Sequence, residues 1–68
     1  MIEYPIWVQS NQEPVACKEK IKILNENYAE LRQMMRDSFD DAMIMGVDEQ
    51  AMRNILKQIV DQLRSPMV

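Results

Sequence analysis

Asp37, Asp40 and Asp41 form the one cluster in this chain whose spacing suits chemistry. They stand at i, i+3 and i+4, which on a helix places all three on neighbouring positions of one face. Such a patch offers oxygen ligands to Mg²⁺ or Ca²⁺, or a docking point for a basic peptide. A bound divalent ion needs further donors from a second acidic motif or from loop carbonyls, and neither is evident. The patch therefore reads as a solvated helix face first and an acidic docking patch second.

Other chemistries fail on composition. The chain has no histidine and one cysteine, so neither a nucleophilic triad nor a tetrahedral zinc site can be assembled. A single glycine, Gly46, excludes a Gly-rich phosphate loop. Paired carboxylates need a cleft that separates their pKa values, which a small helical hairpin does not provide. No catalytic residue, metal or cofactor is predicted, and the chain reads as a non-enzyme. Cys17 sits among apolar helix positions and reads as a small buried hydrophobe, a reactive thiol being the alternative.

The elements behind these residues follow from periodicity. Ile2, Tyr4, Ile6 and Val8 alternate as in a strand, with Glu3 and Trp7 facing the other way. Pro5 interrupts the run, so residues 1–13 are expected to form an extended arm or an edge strand. Pro14 fits a first helical turn. From it, Cys17, Ile21, Leu24, Tyr28, Leu31, Met35, Ser38, Ala42 and Met45 alternate spacings of four and three, the pattern of a heptad seam. A long helix over about 14–45 is predicted, either continuous or interrupted near Asp37. Beyond Met35, Phe39, Met43 and Ile44 broaden the apolar stripe.

Gly46 reads as the left-handed residue that ends this helix. Asp48 caps the next, with Glu49 in its first turn and Val47 and Met52 at the two positions of a hydrophobic staple. The second helix is expected over about 49–64, burying Met52, Ile55, Leu56, Ile59 and Leu63, with an outer Glu49–Arg53 pair. Residues 65–68 read as a frayed tail. Met34, Met35, Met43, Met45 and Met52 should gather where the helices meet.

The fold class is thus all-α: an antiparallel helical hairpin with an extended N-terminal arm, one small domain over 1–68. Its helices are unequal, about 48 Å against about 25 Å at 1.5 Å per residue. A tight turn at Gly46 lays the short helix along the C-terminal half of the long one. Cys17, Ile21, Leu24 and Tyr28 are then left uncovered, and a stripe of that size calls for a partner. The arm can supply part of the cover, since about twelve extended residues reach about 40 Å. A second copy can supply the rest, which makes a homodimeric helical bundle the favoured assembly, with another protein as the alternative partner. The contact residues proposed on this basis are Tyr4, Trp7, Ile21, Leu24 and Tyr28.

Charge and length narrow the class further. Sixty-eight residues with a net charge of −3 form at most one domain with a thin stability margin. The acidic balance argues against a nucleic-acid binder, which needs a basic footprint. No run approaches about 20 apolar residues, so no membrane span is expected. The absence of a recognisable leader and the single cysteine point to the cytoplasm. A small cytosolic adaptor, accessory subunit or regulator is the functional expectation.

Two resemblances offer alternatives. The segment from Glu30-Leu31-Arg32 through Gly46 to Lys57-Gln58-Ile59-Val60-Asp61 resembles the Spo0E-like aspartyl-phosphate phosphatases, helical hairpins with a Ser-Gln-x-Leu-Asp signature. Gln58 and Asp61 match that signature, while Lys57 and Val60 replace its serine and leucine. This likeness implies a regulator of response regulators. In size and architecture the chain is also similar to the Rop-like RNA-binding hairpins, whose basic helix face it lacks. A ribbon–helix–helix arrangement is disfavoured by Glu3, Pro5 and the length of the first helix.

Overall fold

A computed structural model describes residues 2–66 of the chain. Among these residues the regular elements are two helices, α1 over Lys18–Ile44 and α2 over Glu49–Asp61. The all-α class is thereby established, consistent with a helical hairpin, and α1 is continuous through Asp37, Asp40 and Asp41. The chain divides into two compact units, Met1–Met35 and Arg36–Val68, described in turn.

In the first unit the long helix starts four residues later than Pro14 suggests. Pro14 instead pairs with Val8 in an antiparallel bridge. Proline has no N–H to give, so Val15 supplies the donor, reaching the Trp7 carbonyl at 2.8 Å. Between them the chain reverses tightly. Gln12 N–H donates to the Gln9 carbonyl at 2.9 Å, and Gln9 N–H donates to the Glu13 carbonyl at 2.8 Å. Gln12 adopts φ +72°, the left-handed conformation that follows the tight turn of a three-residue hairpin loop. Asn11 Oδ1 accepts from Glu13 N–H at 3.0 Å and steadies the loop. The alternation of Ile2 to Val8 therefore yields an extended arm with one bridge, and not a strand. With Pro14 committed to the bridge, the first helical bond runs from Ile21 N–H to the Cys17 carbonyl at 3.0 Å. Cys17 is thus the capping residue of α1. It is exposed, which corrects the expectation of a buried thiol: a residue in the cap lies ahead of the helical face that its spacing implied.

In the second unit the turn follows its local rules closely. Gly46 has φ +88°. Gly46 N–H donates to the Met43 carbonyl at 3.1 Å and Val47 N–H to the Ala42 carbonyl at 2.9 Å, so two otherwise orphaned carbonyls at the helix end are satisfied. Asp48 then caps α2, its Oδ2 accepting from Ala51 N–H at 2.9 Å. α2 ends at Asp61, with Gln62 as its capping residue, earlier than the expected Arg64. Leu63 is well exposed and so contributes no packing to extend the helix, while Pro66 disfavours helical backbone at Ser65. Of the expected frayed tail 65–68, Met67 and Val68 lie outside the described residues.

Candidate interaction surfaces

The N-terminal surface is built where the arm lies against α1. Trp7 is the arm's half-buried residue, and its indole N–H donates to Asn25 Oδ1 at 2.8 Å. The Tyr28 ring lies under both aromatics of the arm. Its centroid is 6.0 Å from Tyr4 and 6.1 Å from Trp7, each in an edge-to-face arrangement. Such geometry sets the positive ring edge against the negative ring face. Ile21, Leu24 and Tyr28 are half-buried, and Tyr4 remains half-exposed. Of the five contact residues singled out from the sequence, Tyr4, Trp7 and Tyr28 are brought together, the arm's aromatics resting on the chain's own helix; Ile21 and Leu24 are half-buried on that helix. Asn25 was not foreseen. Its signal was available: a lone tryptophan needs an acceptor for its N–H when it is covered.

One edge of the apolar stripe on α1 stays bare. Leu31 is 58% exposed and Met34 is 67% exposed. Tyr28, Leu31, Arg32 and Met35 line a shallow groove of about 260 Å³. Its walls are apolar apart from Arg32.

Cys17 stands at the start of the same helix. The backbone N–H of Lys20, and then that of Glu19, hydrogen-bond to its sulfur and hold its pKa below the usual thiol value; desolvation opposes this, and the Lys20 charge adds to it. The physical cause is the positive end of a helix acting on an exposed thiol.

In the second unit Ala42, at 9% exposure, is buried, and Phe39, Met43, Met52 and Leu56 are half-buried. Arg53 ties this region together. Its guanidinium lies 4.9 Å from the Phe39 ring centroid, and its Nε is 3.4 Å from Glu49 Oε2. The latter confirms the expected i,i+4 pair. The burial expected for α2 is only partly found, since Ile55, Ile59 and Leu63 are exposed. The methionine cluster is corrected likewise: Met43 and Met52 turn inward, whereas Met34, Met35 and Met45 are exposed.

Asp37, Asp40 and Asp41 are exposed on α1. Among the described residues no group of three or more His, Cys, Asp or Glu side chains converges as a metal site. Gln58 and Asp61 lie exposed on α2. Among the described residues no helix is long and apolar enough to cross a membrane. Comparison with protein-family models, with curated proteins and with solved structures gave no match to this chain.

Proposed function

We propose that this chain is a small protein-interaction module, working in the cytoplasm as an adaptor, accessory subunit or regulator, and not as an enzyme. Its first partner is a second copy of itself. One observation carries the reading. Hydrophobic residues make up 47% of the sequence, yet Ala42 is the one described hydrophobe that is buried. Leu31, Met34, Met45, Ile55, Ile59, Val60 and Leu63 all face solvent in the isolated chain. Large apolar side chains left bare in such number mark surfaces that are completed by another polypeptide. The lack of any histidine and the exposure of Asp37, Asp40 and Asp41 favour association over catalysis.

Light scattering on the purified full chain tests this directly. The expected mass in concentrated solution is that of two 8.0 kDa chains. A mass of one chain, unchanged up to about millimolar protein, the range of weak association, would overturn the homodimer.

A further inference from the structure

The contacts that seat the arm on α1 are made by residues on either side of a loop, not by the loop itself. Trp7 and Tyr4 reach Asn25 and Tyr28, and Val15 N–H reaches the Trp7 carbonyl. Residues 9–13, between the arm and these partners, are exposed. The side-chain bonds of this loop are local: Gln9 to the Pro14 carbonyl at 3.3 Å, Gln12 to the Ser10 carbonyl at 3.4 Å, and Asn11 to Glu13 N–H at 3.0 Å. At exposed sites water replaces such bonds at little net cost. The loop is also strained at one point, because Gln12 holds φ +72°, a left-handed backbone unfavourable to a residue with a Cβ.

From this we infer that two copies exchange arms: residues 9–13 open into an extended hinge, and the arm of each copy takes the seat on α1 of the other. The inference rests on the homodimer reading and names its mechanism. The chain itself shows what covers the seat, since the arm of a second copy brings the same two rings and the same indole N–H to Asn25 and Tyr28. Every contact of the arm is thereby remade between copies, while the left-handed strain at Gln12 is released in both. A short hinge under strain favours such exchange. The pairing already present sets its register. Val8 stands opposite Pro14, and Gln9 N–H bonds to the Glu13 carbonyl at 2.8 Å. With the hinge extended, the same antiparallel pairing continues between copies without a break. Gln9 then lies opposite Glu13, Ser10 opposite Gln12, and Asn11 opposite its own counterpart on the two-fold axis. Glu13 is the one ionisable residue of this segment, and it faces glutamine, so the ribbon opposes no like charges. An arm tethered to its own seat has an effective concentration of about a millimolar. The closed chain therefore prevails in dilute solution and the exchanged pair in concentrated solution.

Sedimentation equilibrium and Trp7 fluorescence test the inference on the wild type, on Gln12→Gly and on a chain lacking Ser10 to Glu13. In the shortened chain one residue links Val8 to Pro14, too few to reverse direction, yet both keep their face of an extended ribbon. Its arm can be seated only on another copy. The wild type is expected to dimerise in concentrated solution. Gln12→Gly removes the strain from the closed form and should weaken dimerisation by about tenfold. The shortened chain should stay dimeric on dilution, with Trp7 emitting at the wild-type wavelength. A shortened chain that is monomeric, with red-shifted emission, would overturn arm exchange. If circular dichroism shows that the shortened chain has lost its helices, Gln12→Gly decides: a dimer as strong as the wild type's would overturn exchange and leave a homodimer formed through another surface. A wild type monomeric up to about millimolar protein would overturn the homodimer itself, and arm exchange with it.

Discussion

The indole N–H of Trp7 and the side-chain carbonyl of Asn25 meet at 2.8 Å across 18 residues of sequence. This bond fixes where the arm lies along α1, because an indole has a single N–H with one direction. The ring contacts of Tyr28 with Tyr4 and Trp7 add apolar cover but tolerate sliding. Asn25→Leu is expected to leave the indole donor without a partner in a part-buried place, at a cost of about 1 kcal/mol. Asn25→Asp keeps an acceptor and should retain the arm. Tryptophan fluorescence reads the outcome, since Trp7 is the one tryptophan. A red shift is expected for Asn25→Leu and little change for Asn25→Asp; equal spectra in all three proteins would contradict the anchoring role.

What could be read from the residues, and what could not, divides along sequence distance. Gly46 and Asp48 act on backbone groups a few residues away, so their roles as helix end and helix cap are written locally. The start of α1 at Lys18 is not legible locally, because Pro14 satisfies two local rules at once. It suits a first helical turn, and it equally suits a bridge that makes no demand on its missing N–H. The choice was decided by Val15 reaching back to Trp7. The sequence signals that Trp7 needs an acceptor, but the choice of Asn25 depends on a partner 18 residues away on the arm. Exposure of Ile55 and Ile59 could not be read from the spacing on α2, which shows an apolar face but not how much of it is covered.

The turn between the helices should therefore respond to local substitutions in a local way. A Cβ added at Gly46 meets no heavy atom within 4 Å, so Gly46→Ala is opposed by backbone conformation alone, by about 1 kcal/mol. Asp48→Ala removes the acceptor for Ala51 N–H and is expected to cost about 1 kcal/mol as well. Asp48→Ser, which retains a capping oxygen, should lie close to the wild type. Thermal unfolding checks both, with a fall of about 4–8 °C expected for each 1 kcal/mol in a chain of this size. A Gly46→Ala protein as stable as the wild type would mean that the turn adopts another conformation.

Gln12 poses the reverse case. Its φ of +72° places a residue with a Cβ where glycine rests without strain. Its side chain donates to the Ser10 carbonyl at 3.4 Å, a long contact at an exposed site. Relief of left-handed strain of about 1 kcal/mol outweighs both that contact and the entropy that glycine loses on folding. Gln12→Gly is thus expected to hold or raise the unfolding midpoint, and Gln12→Val to lower it, since a β-branched residue suits this region poorly. The opposite ranking in a denaturant titration would sink the argument.

Cys17 gives a prediction that depends on pH. The N–H groups of Lys20 and Glu19 favour its thiolate, so the folded pKa lies below that of the same thiol in the unfolded chain. For a group that becomes an anion, a lowered folded pKa adds stability above the unfolded value, and that gain disappears as pH falls through the folded one. Above the ordinary thiol range the start of α1 should therefore be held more firmly than below it. The same effect appears in reactivity, because the thiolate is the nucleophile. Alkylation of Cys17 by iodoacetamide should rise with pH at a lower midpoint in the folded protein than in denaturant. Glu19→Pro removes one of the two donors while leaving a residue suited to the first turn, and should move the midpoint upward. A midpoint equal in folded and denatured protein would show that the helix start does not act on the sulfur, and the capping role of Cys17 would then rest on its carbonyl alone.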